Sequence, residues 1–329
     1  MAGIPRVQPF IELRPQQLRA MLLPLLGGGG IRGVARVEGG LVNTIYRVTP
    51  DRGDAVYTLR VYAGGTDGFE REHRLLSHLA GVVPAPRVLL ADASGRDCGH
   101  PYMVYRWIAG TTLDEARGSM PPESLLALAE PLGGVLARVA GASLPPDRVG
   151  EAGGGPFRRI AATQRIARAM EHLRAGRARD RLGSALADAL RERMAGSVPR
   201  IGALESPAAL VHGDFGGRNL LVRRADGGGW SIAGVLDWEN AAAGSALWDP
   251  GNLFRYTRRF SPEFRARFEH GYRGAGGVLP HDWWWAARML DATRLVAIFA
   301  GEREIPGVFA ERAELLGALA ADREDPGPA

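Results

Sequence analysis

The sequence contains no lysine; all 41 of its basic side chains are arginine. Together with 45 glycines and abundant alanine, this reads as the codon bias of a GC-rich genome. It still has a chemical consequence. Any phosphate or carboxylate that this chain meets with a cation meets a planar, always-charged guanidinium and never a flexible ammonium. Cysteine is almost absent as well. Cys98 stands alone, which excludes an intramolecular disulfide and fits a reducing compartment, so a cytoplasmic location is expected. Long apolar runs are missing too. Residues 18–26, LRAMLLPLL, are short, broken by Pro24, and lack the basic start of a signal peptide. No membrane segment is expected. Dense basic runs beside aromatics are also lacking. The net charge is +5 and the pI near 9.8, yet arginines alternate with acids, as in RERMAGSVPR. A nucleic-acid partner is therefore not expected, whereas a modest positive field suits an anionic nucleotide.

What is present is a chain of 329 residues, 46% hydrophobic and 23% charged. That suffices for a sizeable core or for two lobes with a cleft. Residues 12–26 read as a helix, with Pro15 in its first turn and GGGG at 27–30 ending it. Arg32 to Glu38, GGLVNTIYRV and AVYTLRVYA read as strands; the last alternates with period two. The pair Gly39-Gly40 would let backbone amides approach a phosphate, and Asn43 and Thr44 behind it could donate to phosphate oxygens or cap the turn. GGTDGFEREHRLLSHLAG follows as loop and helix, with Glu72 able to reach inward to Arg60 or to sit at the surface. VPAPRVLLADASGRDCGHPYMVYRWIAGTTL reads as strand, turn, strand and linker. Its second strand carries Met103 and Tyr105, and such a strand can present backbone groups to adenine or simply fill a core.

From 121 to 205 the pattern is helical. PPESLLALAEPLGGVLARVAGA, RRIAATQRIARAMEHLRAG and RDRLGSALADALRERMAG each read as one helix, and EAGGGP at 151–156 as a loop. Farther on, HDWWWAARMLDATRLVAIFAGE reads as a long apolar helix and DREDPGPA as a frayed tail.

The most informative stretch is Leu210 to Glu239, LVHGDFGGRNLLVRRADGGGWSIAGVLDWE. After an apolar strand it places His212, Gly213 and Asp214, then Asn219 five positions on. A hairpin and a second strand follow, leading to Asp237. Phosphoryl transfer needs positioning and charge neutralisation more than covalent chemistry. A carboxylate such as Asp214 can accept a hydroxyl proton. An amide oxygen and a carboxylate, Asn219 and Asp237, are hard donors that suit Mg²⁺. His212 is expected to orient the loop rather than to move protons. The spacing D-x-x-x-x-N matches the protein-kinase catalytic loop.

At these residues the sequence resembles the aminoglycoside phosphotransferase and choline-kinase-like superfamily. VHGDFGGRNLLV is similar to its catalytic loop, and VLDWENAAAGSALWDPGNL to its metal-binding segment. GGLVNTIYRV, YTLRVY, EREHRLLSHL and PYMVYRWIAGTTL align with the phosphate loop, the nucleotide-contacting strand, the helix with the pairing Glu, and the hinge. The resemblance spans roughly residues 30–300. It implies an α+β, bilobal protein-kinase-like fold. The N-terminal lobe, residues 1–107, would be a small antiparallel sheet with one main helix; residues 108–329 would form a larger, mostly helical catalytic and substrate-binding lobe. It also implies an ATP-dependent O-phosphotransferase acting on a small hydroxylated molecule. Asp214 would be the base, assisted by His212, and Asn219 and Asp237 the Mg²⁺ ligands. Gly39, Gly40, Asn43, Thr44, Arg60, Glu72, Met103 and Tyr105 would face the nucleotide. Arg60 stands where many members carry lysine, which leaves ATP versus GTP open. Glu239 would lie behind the metal or serve as a cap, and Asp249 would tie the metal segment to the helix behind it. Acceptor classes in that superfamily include aminoglycosides and other antibiotics, amino alcohols, homoserine and sugars. An acidic face built from Asp282, Asp291, Glu302 and Glu304 would suit a polycation. Trp283, Trp284 and Trp285 read as core packing rather than a cation box. The alternative function is a nucleotide-binding pseudokinase or regulatory module without transfer activity.

Overall fold

The structure, a computed structural model, describes residues 6–38, 42–142, 149–150, 157–204, 208–303 and 306–321. The chain divides into two compact units. One is Met1–Gly110 with Ala233–Glu239, and the other is Thr111–Ile232 with Asn240–Ala329. The expected division at 107/108 runs along the sequence. The folded chain differs in that the segment carrying Asp237 belongs with the N-terminal unit. The α+β class holds, with an antiparallel N-terminal sheet and a helical C-terminal part.

In the first unit, helix α1 (Pro15–Leu22) starts with proline at a position whose N–H would be unpaired anyway. It is shorter than expected. Pro24 has no N–H to continue the ladder, and Leu23–Leu25 tightens into a 3₁₀ turn. Strands β1 (Ile31–Val37), β2 (Thr44–Pro50), β3 (Tyr57–Val61), β4 (Val88–Asp92) and β5 (Tyr102–Arg106) form a sheet of order β1-β2-β3-β5-β4, antiparallel throughout. Tyr46, Val48, Leu59, Val61 and Val104 of that sheet pack with Leu18, Met21 and Leu22 of α1. Each such side chain contributes about 1.5–3 kcal/mol when fully buried. Helix α2 (Thr66–Leu79) buries Phe69, Leu75, Leu76 and Leu79, and on the same side a charge, Glu72.

A three-stranded sheet of order β11-β10-β6 comes from β6 (Thr111–Thr112) and β10 (Leu220–Arg224) of the second unit and β11 (Trp230–Val235), of which Trp230–Ile232 belong to that unit. A four-stranded sheet of order β7-β8-β12-β9 comes from β7 (Val149–Gly150), β8 (Phe157–Ile160), β9 (Ala209–Val211) and β12 (Ala242–Gly244). Around them lie α3 (Leu113–Ala116), α4 (Pro122–Ala127), α5 (Ala129–Gly141), α6 (Ala162–Arg174), α7 (Arg177–Leu182), α8 (Ser184–Ala203), α9 (Trp248–Leu253), α10 (Pro262–Gly274), α11 (Trp283–Ala300) and α12 (Pro306–Ala321).

Several sequence expectations change here. The helix expected from Arg158 begins at Ala162, because the residues before it form β8 and pair in parallel with β12. The helix expected from Arg179 is two helices, α7 and α8, broken at Gly183, whose φ of 80° ends a helix cheaply only in glycine. The last strand of the Leu210–Glu239 stretch stops at Val235, and Trp238–Asn240 forms a 3₁₀ turn. Helices α5 and α10 cross where a Cβ on Gly133 would strike the Phe268 carbonyl and one on Gly271 the Glu130 carbonyl. The stretch Pro122–Gly141 is long and apolar enough to match a membrane span by length and composition, and this crossing is made by its second half. Gly39, Gly40, Glu304, the EAGGGP stretch and the DREDPGPA tail lie outside the described residues.

Candidate active site

The loop after β9 is built on two backbone anchors. Asp249, buried in α9, accepts the N–H of His212 on Oδ2 at 2.6 Å and that of Gly213 on Oδ1 at 2.9 Å. The expectation that Asp249 ties down the metal segment is thus corrected: its carboxylate holds the His-Gly-Asp loop. Gly213 has φ 78°, and a Cβ there would strike the Asn240 carbonyl, so the position admits only glycine. His212 is fully buried and stands edge-on to Phe215 at 6.0 Å. Its Nδ1 accepts the Asp214 N–H at 3.2 Å, which ties the ring to the loop. It therefore orients the loop.

Asp214 retains partial exposure. Asn219 Nδ2 donates to the Asp214 carbonyl at 2.9 Å and to its Oδ2 at 3.2 Å. The five-residue spacing is one compact turn, closed by Gly216 N–H to Asp214 O and Asn219 N–H to Gly216 O. With Nδ2 directed at Asp214, the Asn219 Oδ1 is left out of these bonds. Arg294, from α11, donates to Asp214 Oδ1 at 3.3 Å. Burial raises the Asp214 carboxyl, but Arg294, Arg255, His212 and Arg218 outweigh it and hold the group below its ordinary value. It is ionised at neutral pH, as a proton acceptor must be.

In the N-terminal unit, one guanidinium gathers three carboxylates. Arg60 Nη1 lies 3.3 Å from Glu72 Oε1, while its Nη2 reaches Asp237 Oδ1 at 3.1 Å and Glu239 Oε2 at 3.0 Å. Arg60 and Glu72 are both buried, so the expected pairing holds, and the surface reading of Glu72 is excluded by its 2% exposure. Tyr62 donates to Glu72 Oε2 at 2.8 Å and fixes the carboxylate. Burial raises Glu72, and Arg60 and Tyr62 only partly offset it. Glu239 is likewise raised by burial and then by Asp237, against Arg60. Three carboxylates around one arginine leave a local excess of negative charge. Asp237 has φ 63°, the one positive value of a non-glycine among the described residues. Such a backbone is strained for aspartate and aims its side chain off the strand line.

The cation that this excess would take is consistent with the donors present. Asp237 Oδ1 is engaged by Arg60; the Asn219 Oδ1 is a neutral oxygen donor. Both are hard oxygens, the type Mg²⁺ prefers, and Mg²⁺ takes one or two protein oxygens rather than a full cage. Accordingly, no cluster of three or more His, Cys, Asp or Glu side chains fit to hold an ion occurs among the described residues.

Other expected residues are placed differently. Thr44 is fully buried, and its hydroxyl accepts the Ile11 N–H at 3.0 Å. Asn43 Nδ2 donates to Glu239 Oε2 at 3.3 Å. Met103 and Tyr105 pair with Arg60 and Thr58 on one side and with Ala91 and Val88 on the other. A strand flanked on both edges has its backbone groups in the ladder, so these two residues do not form an open hinge. Trp107 N–H still donates to Val56 O at 2.8 Å. Two of the late acids are engaged: Asp291 takes Arg255 at 2.9 and 2.6 Å, and Asp282 takes Arg200 at 2.7 Å. The three tryptophans diverge. Trp283 packs on Phe254 and Phe268, Trp284 receives Arg265 over its ring, and Trp285 receives Arg200. Sequence reasoning missed Tyr62, Arg294 and the loop-anchoring role of Asp249, which carry no local pattern; Glu239 was noticed, but not as a direct partner of Arg60.

Residues 33–284 match the phosphotransferase enzyme family. No curated protein matches the chain. Among solved structures, the GDP and kanamycin complex of APH(2")-IIia has a TM-score of 0.70 at 17% identity, covering 93% of this chain and 99% of its own. A choline/ethanolamine kinase family protein from Mesorhizobium loti has a TM-score of 0.62 at 21% identity, covering 93% and 94%. A thermostable mutant of aminoglycoside phosphotransferase APH(4)-Ia, in a ternary complex with ADP and hygromycin B, has a TM-score of 0.63 at 20% identity, covering 92% and 98%. These likenesses establish a shared fold.

Proposed function

The chain belongs to the phosphotransferase enzyme family and is a small-molecule kinase; we propose that it moves the γ-phosphate of ATP directly to a hydroxyl of its acceptor. The observation that carries this reading is the Asp214 carboxylate, partly exposed, held ionised, and gripped by Asn219 five residues on. In the reaction the acceptor O–H gives its proton to Asp214. Its oxygen forms the new bond to the γ-phosphorus, and the bond from that phosphorus to the ADP oxygen breaks. His212 keeps the Asp214 backbone in place, and Asp249 holds His212 and Gly213.

Asn219 Oδ1 and the Asp237 carboxylate are the proposed Mg²⁺ ligands; the ion, when bound, neutralises phosphate charge. Arg60 is proposed to serve the nucleotide phosphates in the place of a lysine. It would have to share its terminal nitrogens with the carboxylates it already holds. The backbone that meets the base of the nucleotide is proposed to lie beyond Trp107, past the paired part of β5. That relatives of this fold were solved with GDP, ADP or AMP-PNP supports nucleotide use and leaves the choice between ATP and GTP to measurement.

The test is phosphate transfer from MgATP to a library of hydroxylated compounds by the wild type and Asp214→Asn. The variant should lose about 10²–10⁴-fold in kcat, as removal of a general base does. Full turnover by the variant would show that Asp214 is not the base.

A further inference from the structure

Two arginines in the C-terminal unit make no ion pair among the described residues. Arg165, on α6, lies over Trp248, its guanidinium carbon 3.2 Å from the ring centroid. Its Nε donates to Thr293 Oγ1 at 3.2 Å, and its four terminal N–H groups have no acceptor among the described residues. Burial pushes it down to about 9, and neighbouring Arg294 adds to the effect. The carboxylates that face it, Asp291 and Asp249, are committed elsewhere. Asp291 grips Arg255 with both oxygens, and Asp249 accepts two backbone N–H groups. Arg168 adds a further positive charge. A second arginine, Arg312 on α12, is 8% exposed and has no ion pair among the described residues; its Nε has no hydrogen-bond partner. Arg255 and Arg218 act on it as like charges, and Tyr256 and Glu311 as opposite ones.

Arg165 is linked to the proposed base through α11, where its partner Thr293 is next to Arg294. Arg294 follows Thr293 on α11 and touches Asp214, and Arg255 and Arg218 also act on that carboxylate. The Arg294 contact, at 3.3 Å, is long for a charge-assisted hydrogen bond, which typically measures about 2.7–2.9 Å. A desolvated guanidinium is costly unless paired. Stacking on an indole returns part of that cost and leaves the planar fork directed at whatever arrives.

We propose that the acceptor is itself an anion, a hydroxy compound bearing a carboxylate or phosphate whose negative group is taken by Arg165 and Arg294. This rests on the phosphotransferase reading of Asp214. The anion gives Arg294 a better acceptor and draws it off Asp214 Oδ1, which becomes free for the hydroxyl proton. Trp248, the platform under Arg165, is in the same helix as Asp249, the anchor of the Asp214 loop, so α9 supports anion and base alike. A polycationic amine meets like charge from Arg165, Arg294 and Arg218 instead.

The test pairs acceptors that differ in charge alone. Three- to six-carbon hydroxycarboxylates are set against their amides, and pentose and hexose phosphates against the free sugars; kanamycin and hygromycin B represent cations. Calorimetry without nucleotide measures binding, and ADP release with MgATP measures turnover. The anionic members should bind and be phosphorylated, with the carboxylate and phosphate arms showing which group is used. Arg165→Gln, which removes a desolvated charge and should fold, is expected to raise KM for the anion about 10- to 100-fold, the size of a lost charged hydrogen bond. Its kcat should change less, and Arg294→Gln should act on the same acceptors. The proposal is overturned if neutral partners bind as well as anions, if a cation is preferred, or if folded Arg165→Gln keeps the wild-type KM. Absence of transfer to every class would count against the phosphotransferase reading. The anion site would then be judged on calorimetry, where failure of all anions to bind refutes it.

Discussion

Asp249 and His212 are joined through the backbone: the Asp249 carboxylate accepts the His212 N–H at 2.6 Å and, with its other oxygen, the Gly213 N–H at 2.9 Å. Both donors are buried. Asp249→Ala would orphan them, and each unsatisfied buried group costs about 1–3 kcal/mol. Asp249→Asn keeps one acceptor oxygen and should lose about half as much. Chemical denaturation measures both variants. If Asp249→Ala unfolds at the wild-type midpoint, the carboxylate is not the anchor of the loop.

Arg60 should be intolerant of replacement. Arg60→Met strands Glu72 in a buried site, and removing one partner of a buried pair costs about 3–5 kcal/mol. Arg60→Lys keeps the charge but not the fork that spans Glu72 on one nitrogen and Asp237 with Glu239 on the other. It should lie between wild type and Arg60→Met in thermal stability. Equal stability of all three proteins would refute the claim that the fork matters.

Gly271→Ala should destabilise the C-terminal unit by about 1–3 kcal/mol, the usual cost of overpacking, because its methyl would meet the Glu130 carbonyl where α5 and α10 cross. Gly274→Ala, on the same helix with open space around it, is the control and should be neutral or slightly stabilising. A melting curve for each distinguishes contact from helix propensity.

Asp282 gives the pH dependence. Hydrogen bonds from Arg200 and His281 pull its carboxyl down to about 2, below its ordinary 3.8. A folded-state value below the unfolded one means that the native state holds its proton less tightly. The stabilisation is therefore complete above about pH 4 and is lost as pH falls through about 2. The pair is partly exposed, so Asp282→Asn should cost at most about 1 kcal/mol at pH 7. Stability curves of variant and wild type should converge at pH 2; a constant gap across that range would exclude the linkage.

The loop that carries Asp214 was legible because its geometry is local. Asp214 and Asn219 close one turn, so their spacing alone brings amide and carboxylate together. The Arg60–Glu72 pair was legible for a related reason. A period-two strand and a 3.6-period helix each direct one charged residue inward, and a buried charge needs its opposite. The short strands β8 and β12 were not readable, since four residues and three residues are too few to show a period, and β12 is made of small residues only. Thr44 shows the opposite limit. Its position fits a phosphate loop, yet packing turns its hydroxyl to the Ile11 N–H.

The sequence by itself determined the phosphotransferase family, because the pattern that carries it is read along the chain. It also determined that every cation would be guanidinium. Only the tertiary structure decided which charges meet. Asp249 reaches His212 across 37 positions, Arg294 reaches Asp214 across 80, and Glu239 reaches Arg60 across 179. Contacts so distant along the chain depend on how helices and sheets pack, and no local periodicity encodes them.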